Sequence, residues 1–239
     1  MPAQPNRSVS DALACLQALA ASTVPIGSRA LARITGFEHT RTNRLLGTLA
    51  SIGLAEQDAS RKYRPGAGIH VLAALSLQSS GLLASALPCL DKLRVERLMV
   101  ALGVLWKRHV CYIFSARPGE GLKEAVGRHE LFPVENSSIG LAVLAGGDEK
   151  TVGDFIACAK AAGTPFDVRR FLGELETVRR LGYAVVSRTP GDASIGAAIG
   201  SPPLAGVAVA GKVKDKSIPE LAEKVAAAAR SITAAMQGG

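Results

Sequence analysis

Cysteine is scarce in this chain of 239 residues, and its four copies stand far apart, at Cys15, Cys89, Cys111 and Cys158. They form no Cys-x-x-Cys pair, and no histidine pair lies nearby at the spacing of metal ligands. A disulfide framework and a structural zinc site are therefore not expected, and no other metal or cofactor is predicted. The N-terminus also lacks the apolar segment of a signal peptide, so we expect a protein of the reducing cytoplasm.

Membrane spans and catalytic signatures are missing as well. One uncharged run, residues 193–211, contains two prolines and several glycines, which predicts two small-residue strands around a turn and not a membrane span. The glycine-containing segment RPGEG lacks the lysine of a phosphate-binding P-loop. His109 and Cys111 alternate on one predicted strand and share a face, but no third group is evident to orient them as a nucleophile pair. No catalytic residue is predicted, and the chain is not expected to be an enzyme.

Positive charge is what the chain has in excess, with a formal net charge of +8 at pH 7. The first 65 residues hold eight basic and four acidic side chains, whereas the much longer remainder holds 20 basic and 16 acidic ones. This concentration at the N-terminal end permits a polyanionic partner such as nucleic acid. The hydrophobic share of 48% is typical of a globular protein, and the length suits two domains.

The N-terminal segment is predicted to begin with two helices. From Ser8 onward, apolar residues recur at helical spacing in a first helix that has Ser8 and Ser10 at its start and Asp11 in its first turn. These apolar residues are Val9, Leu13, Leu16 and Leu19. A second helix is predicted to start with Ser28 as its N-cap and to stop at Gly36. Ala32 and Gly36 have the spacing of a helix-turn-helix, in which a small residue lies where two helices touch and glycine forms the turn.

A third helix and a hairpin complete this segment. The third helix is predicted to end at Gly53 and to turn inward a stripe made of Thr42, Leu45, Leu46, Leu49 and Ile52. Alternating residues over 54–66, with a turn at 58–60, predict a small β-hairpin. Together these elements predict a winged helix-turn-helix over residues 1–66.

The first turn of the third helix is polar and basic, although the rear of the helix is apolar. Arginine side chains there can bind guanine or phosphate, and an asparagine can pair with adenine. A solvated helix cap is the alternative explanation, but the preceding helix and the basic hairpin favour DNA binding. The predicted DNA-binding residues are Ser28, Arg29, His39, Thr40, Arg41, Asn43, Arg44, Thr48, Arg61, Lys62 and Arg64.

The remainder is predicted to form a linker helix over residues 67–81 and a second domain over 82–239. The linker has apolar residues on nearly every side, and we expect it to be packed. The second domain is predicted to start with a helix from Leu82 to about Arg97. Strands are predicted over 98–106, 110–116, 183–187, 194–200 and 207–213, and further helices over 148–162, 168–181 and 217–236. This pattern is typical of an α+β domain with a single antiparallel sheet.

In this order, the segments resemble the isocitrate lyase regulator (IclR) family of bacterial transcription regulators. SVSDALACLQALA is similar to the family's first helix, and TRTNRLLGTLASIGLAEQDASRKYRPG to its recognition helix and wing. GRHELFPVENSSIGLAVLA, ELETVRRLGYAV and LAEKVAAAARSI resemble three segments of its second domain. The resemblance implies a winged helix-turn-helix joined by a linker helix to a GAF-like domain that binds a small-molecule effector. It further implies homodimers, in many cases paired into tetramers, on double-stranded operator DNA.

The polar anchors of the family's effector pocket are altered in this sequence. The family's pocket cysteine corresponds to Gly196, two strand serines to Ala208 and Ala210, and acidic positions after Gly-Tyr-Ala to Val186, Arg188 and Thr189. The family's loop sequence His-Ala-Thr-Ala-x-Gly-Lys is replaced by Glu-Asn-Ser-Ser-Ile-Gly-Leu at 135–141. Such a pocket should prefer an effector larger or more apolar than a short acid, or should bind none.

The predicted effector-binding residues are Asn136, Ser137, Ser138, Arg188, Gly196 and Ala208. Arg188 can bind a carboxylate or be a solvated arginine at a strand end. Ser137 and Ser138 can bind a ligand or cap a helix. The sequence thus predicts a DNA-binding regulator controlled by a small molecule. The alternative left open is a small-molecule-binding or enzymatic domain whose winged helix serves protein contacts only.

Overall fold

The computed structural model describes residue 4 and residues 6–94, 97–125, 131–161, 163, 166–187 and 189–238. Contacts within the chain group it into two units, residues 1–80 and 81–239. Among the described residues no single helix has the length and apolarity needed to cross a membrane, although the consecutive helices Ala67–Ser80 and Leu82–Leu93 reach those values when taken together.

The described residues of the first unit form four helices and a small antiparallel sheet. Its elements are α1 (Arg7–Ala20), β1 (Ile26–Gly27), α2 (Ser28–Thr35), α3 (His39–Ser51), β2 (Ala55–Gln57), β3 (Lys62–Pro65) and α4 (Ala67–Ser80). The strand order is β1-β3-β2. The predicted hairpin is confirmed as β2 and β3, and the three helices with this hairpin form a winged helix-turn-helix. The two-residue strand β1 carries no periodic pattern, so the sequence did not reveal it.

Helix boundaries in the first unit differ from the prediction at two places. Helix α1 begins at Arg7, ahead of the predicted start, because the Oδ1 atom of Asn6 accepts a hydrogen bond of 3.0 Å from the backbone N–H of Ser8. Helix α2 has Gly27 at its N-cap position and no side-chain cap, so the N-cap prediction for Ser28 is wrong. Gly36 ends α2 with φ +72°, a left-handed conformation that favours glycine.

The core of the first unit lies between α1, α2, α3 and the sheet. Its buried side chains include Cys15, Leu19, Leu31, Leu46, Leu49 and Tyr63. The predicted inward stripe of α3 is confirmed at Thr42, Leu45, Leu46 and Leu49, but Ile52 is 61% exposed and does not belong to it. Ile52 follows the last turn of α3 and is no longer held in the helical repeat that turns its predecessors inward.

Helix α4 begins against the end of the hairpin and then leaves the core. The backbone N–H of Gly66 donates to the carbonyl of Leu54, and that of Gly68 donates to the carbonyl of Gly53, both at 3.0 Å. No residue of α4 is buried within the chain, contrary to the prediction of a packed helix. Its apolar side chains Val71, Leu72, Leu75 and Leu77 are exposed.

The second unit is built on a six-stranded antiparallel sheet of order β6-β5-β4-β9-β8-β7. Its helices are α5 (Leu82–Leu93), α6 (Leu122–Ala125), α7 (Ser138–Gly146), α8 (Glu149–Ala161), α9 (Val168–Leu181) and α10 (Ile218–Gln237). Its strands are β4 (Leu98–Trp106), β5 (His109–Ala116), β6 (Leu131–Pro133), β7 (Ala184–Ser187), β8 (Asp192–Ile199) and β9 (Ala205–Lys212). The predicted α+β class with one antiparallel sheet is confirmed. Helix α5 ends at Leu93, short of the predicted Arg97.

Helices cover both faces of this sheet. On one face α5 and α10 enclose a core with Leu90, Leu102, Phe114 and Ile195. On the other face lie α7, α8 and α9, with Ile139, Leu144, Phe155 and Leu175 buried beneath them. The helices thus bury the apolar side chains on both faces of the sheet, as expected for a layered α+β domain.

A β-bulge in β5 decides which face its side chains reach. Gly103 pairs with Tyr112 and Leu102 with Phe114, so Ile113 is an extra residue between the two pairs. Tyr112 therefore packs on the α7 face, whereas Phe114, two residues on, packs on the α10 face. Without the bulge both rings would lie on one face, because side chains of a regular strand alternate.

Candidate functional site

Helix α3 has a buried rear and an exposed polar front. Thr42 is fully buried, and its Oγ1 atom donates a hydrogen bond of 3.0 Å to the carbonyl of Glu38. Thr40, Asn43, Arg44 and Thr48 are exposed. Four of the predicted DNA-binding residues therefore share an accessible surface of one helix, with donors and acceptors of the kind that read base edges.

Arg41 differs from its neighbours on α3. Its Nη2 atom lies 2.5 Å from Oδ2 of Asp11 in α1, and its side chain is only 36% exposed. The expectation that Arg41 is free to face outward is therefore wrong. The acidic side chain on α1 attracts the guanidinium to the boundary between the two helices.

The starts of α2 and α3 are joined by a hydrogen bond. Ser28 Oγ and His39 Nε2 lie 3.0 Å apart. Arg29, the next residue of α2, is exposed, as is Arg33 one turn further on. This contact fixes the two helix starts relative to each other, next to the exposed arginines.

The hairpin contributes a second basic surface. Arg61 and Lys62 are exposed at its turn, where the carboxylate of Asp58 accepts a hydrogen bond of 2.9 Å from the backbone N–H of Lys62. Arg64 is exposed as well, but it is not free, because its Nε and Nη2 atoms donate to the two carboxylate oxygens of Glu56 at 3.2 and 3.0 Å. This hydrogen-bonded carboxylate raises the pKa of Arg64. The available basic charge of the hairpin is therefore at its turn.

A pocket of about 290 Å³ opens on the α7 face of the second unit. Its lining residues are Met99, Tyr112, Phe132, Asn136, Val186, Asp192, Ala193, Ser194, Ala210 and Gly211. The rings of Tyr112 and Phe132 stack with centroids 4.7 Å apart and form an aromatic wall. The polar side chains of the lining include Asn136, Ser194 and Asp192. Such a mixture, mainly apolar with a few polar atoms, is typical of small-molecule sites.

Of the predicted effector-binding residues, Asn136 lines this pocket, and Arg188 lies outside the described residues. Ser137 caps α7, since its Oγ accepts a hydrogen bond of 3.2 Å from the backbone N–H of Gly140. Ser138 is buried, and its hydroxyl lies 2.7 Å from that of the lining residue Ser194. Ser137 thus has the capping role that the sequence left open, and Ser138 supports the wall of the pocket.

Gly196 and Ala208 do not line the pocket but lie beneath α7. A Cβ atom on Gly196 would lie 2.8 Å from the backbone carbon of Ser138 and 2.9 Å from the backbone nitrogen of Ile139. The adjacent Ala208 on β9 is 2% exposed. Both are small because α7 packs directly on the sheet there, so the expectation that they face a ligand is wrong.

Several lining residues were not predicted from the sequence. Tyr112 was missed because the bulge in β5 separates its face from that of Phe114, and Phe132 because it lies on the three-residue strand β6, which the sequence did not predict. Ser194 pairs across β8 and β9 with Ala210, which the resemblance already placed in the pocket, so the alternation of these two strands was a usable signal for Ser194. Met99 belongs to the same alternation on β4, opposite Ala210.

The histidine and cysteine on β5 give no sign of nucleophilic chemistry. Burial raises the pKa of the Cys111 thiol, which opposes formation of the reactive thiolate. His109 is exposed at the start of the strand. Cys111 therefore behaves as a partly buried apolar side chain.

The chain is similar to IclR transcriptional regulators both in sequence and in structure. The family model described as bacterial transcriptional regulator IclR C-terminal matches residues 74–234. A putative IclR transcriptional regulator from a Silicibacter species is 25% identical, with 97% of each chain covered and a TM-score of 0.79. An IclR family transcriptional regulator from Brucella abortus is 18% identical, with 98% of this chain and 95% of that chain covered and a TM-score of 0.77.

A third structure was solved with a small molecule. It is an IclR homolog from Microbacterium hydrocarbonoxydans complexed with 4-hydroxybenzoate, 17% identical, with 97% of this chain and 100% of that chain covered and a TM-score of 0.71. No curated protein sequence matches the chain. The similarity to solved structures therefore extends over both units, whereas the family model covers mainly the second.

Proposed function

Because the chain belongs to the IclR family of bacterial transcriptional regulators, we propose that it binds operator DNA through α3 and the hairpin and that a small molecule in the second-unit pocket controls this binding. The observation that carries the proposal is the exposed polar front of α3 above a fully packed rear. We assign residues 1–66 to the DNA-binding domain, 67–81 to the linker and 82–239 to the effector-binding domain, in a cytoplasmic protein.

Two surfaces of the first unit support DNA binding. The front of α3 offers Thr40, Asn43 and Arg44 to base edges, in the manner of a recognition helix in the major groove. The hairpin turn offers Arg61 and Lys62 to phosphates beside the groove. The remaining predicted contacts, from Ser28, Arg29, His39 and Thr48, border the α3 surface.

The salt dependence of duplex binding tests this proposal. Each phosphate neutralised by lysine or arginine steepens the fall of log K against log salt by about 0.9. We expect a steep negative slope for wild-type protein in a fluorescence-anisotropy titration with labelled duplex. A slope near zero would instead favour the alternative, in which the winged helix makes protein contacts only.

The pocket supports an effector with a flat apolar body. Its aromatic wall and the side chains of Met99 and Val186 suit a ring, and a volume of about 290 Å³ is at the lower end of ligand pockets. Asn136 and Ser194 offer hydrogen bonds to a polar substituent. Asp192 is the only charged group of the lining among the described residues, so an acid group of a ligand would point away from it.

Thermal unfolding in the presence of ligands tests the effector class. We expect 4-hydroxybenzoate, the ligand of the Microbacterium homolog, to raise the Tm more than acetate at equal concentration. A ligand at a hundred times its Kd stabilises the folded state by about 2.7 kcal/mol. Ala210→Leu fills the pocket and should abolish the shift, whereas Ala235→Leu on the exposed side of α10 should retain it. A larger shift with acetate would contradict an apolar effector.

Helix α4 supports a homodimer as the functional form. Its 14 residues carry exposed valine and leucine side chains and no buried one, which is unfavourable in water. A second copy of the same helix can cover this surface, as an isologous interface requires. A dimer presents two recognition helices to a two-fold operator, and pairs of dimers extend the same scheme.

An effector acts in this scheme by shifting a conformational equilibrium. It must bind one arrangement of the two DNA-binding domains of the dimer better than another, since equal affinity for both would change nothing. The coupling is reciprocal, so operator DNA changes effector affinity by the same factor.

A further inference from the structure

We propose that Asp11 restrains Arg41 and thereby weakens binding of the recognition helix to duplex DNA of any sequence, an inference that rests on the proposed DNA binding. In this role Asp11 is a positioning residue that does not itself contact DNA. It keeps Arg41 from binding the phosphates of a DNA duplex, whatever the base sequence, and it leaves Arg44, the other arginine of α3, available.

The geometry of the pair is direct. Asp11 lies on α1 with its side chain 20% exposed, and its Oδ2 atom is 2.5 Å from Nη2 of Arg41. Arg41 is the third residue of α3, immediately before the fully buried Thr42. The carboxylate therefore holds the guanidinium at the rear edge of the recognition helix, where packing of α1 on α3 fixes its position.

Arg44 provides the contrast on the same helix. It lies three residues after Arg41, is exposed, and has no ion-pair partner within the described part of the chain. The first two turns of α3 thus present one neutralised arginine and one available arginine.

A restrained arginine binds phosphates less strongly, whatever the sequence of the DNA. To reach a phosphate, the Arg41 guanidinium must exchange the Asp11 carboxylate for the phosphate, and the carboxylate left behind repels the DNA backbone. Phosphates are the same in every sequence, so this opposition weakens binding to all duplexes. Base contacts through Thr40, Asn43 and Arg44 are unaffected and then account for a larger share of the affinity.

Asp11→Asn should release Arg41 while keeping the size and shape of the side chain. One additional phosphate contact raises affinity for duplex of random sequence by about three- to tenfold at physiological salt. It also steepens the slope of log K against log salt by about 0.9.

The experiment is a double-mutant cycle with random-sequence duplex, measured by fluorescence anisotropy at three salt concentrations. The proteins are wild type, Asp11→Asn, Arg41→Ala and the double variant, and Asp11→Ser is a second replacement of the carboxylate. Glu38→Gln is the matched control, because it removes an exposed negative charge beside α3 that has no ion pair with Arg41. Thermal unfolding of each variant verifies that the first unit is folded.

The restraint predicts that Asp11→Asn and Asp11→Ser raise affinity by a larger factor when Arg41 is present than in the Arg41→Ala background, whereas Glu38→Gln has the same effect in both backgrounds. An equal gain from Asp11→Asn in the Arg41→Ala background would overturn it, since the gain would then come from charge alone. No gain in either background would overturn it too. If Arg44→Ala weakens binding in that case, the proposed function stands without the restraint; if no protein binds duplex at all, both fail.

Discussion

Arg44→Ala should weaken binding to operator DNA by about 1–3 kcal/mol, which is roughly five- to 150-fold in Kd. Arg44 is exposed in the second turn of α3, and its guanidinium has no ion pair within the described residues. It is therefore available for a bidentate contact with guanine or for a phosphate. Its loss should leave the fold intact, because α3 is held by its buried side chains at Thr42, Leu46 and Leu49.

Arg64→Ala is the matched control for this prediction. Arg64 is also an exposed arginine of the winged helix, but both oxygens of Glu56 already bind it. Removing it should change operator affinity by less than Arg44→Ala does, because exposed ion pairs contribute only about 0–1 kcal/mol and the charge was already neutralised. Equal effects of the two substitutions, or none from Arg44→Ala, would show that α3 is not the recognition helix.

Gly196→Ala should lower the free energy of unfolding of the second unit by about 1–3 kcal/mol. The added Cβ would lie within 3.0 Å of backbone atoms of Ser138 and Ile139, which cannot move aside as the end of a flexible side chain can. Helix α7 must then shift away from β8. That shift would also separate Ser138 from Ser194 and disturb the wall of the pocket.

Chemical denaturation and the Tm measure this effect. For a chain of this length a loss of 1 kcal/mol lowers the Tm by about 2–4 °C. Gly173→Ala on α9 is the control, because a Cβ there meets no atom within 4 Å. In a helix interior alanine is favoured over glycine by about 1 kcal/mol, so this variant should be neutral or stabilised. A Gly196→Ala protein as stable as wild type would refute the close packing of α7 on the sheet.

The sequence was most informative where the local pattern and the tertiary packing agree. The inward stripe of α3 follows from helical periodicity alone. The prediction that Ile52 is buried was wrong, because the apolar repeat in the sequence continues past the end of α3. The prediction that α4 is packed was wrong for another reason. Its apolar sequence predicts burial, but none of its residues is buried within the single chain.

The candidate sites were less accessible to sequence reasoning, and the reason is geometric. The pairing of Asp11 with Arg41 joins residues 30 positions apart, and no periodicity links them. The resemblance placed Gly196 in the pocket, and the sequence could not reveal the close approach of α7 to β8, because that approach depends on the packing of the whole sheet. The bulge at Ile113 places the side chains after it on the opposite face of the sheet from the one that regular alternation would give, and no pattern in the strand sequence predicts this bulge.

Selection of bound sequences from a randomised duplex library tests the central claim most directly. A dimeric winged-helix regulator should enrich an inverted repeat whose half-sites are about one helical turn apart, or a multiple of it. Arg44→Ala should reduce that enrichment, and Arg64→Ala should largely retain it. If wild-type protein retains no duplex, or enriches no common sequence, the account of this chain as a sequence-specific DNA-binding regulator is contradicted.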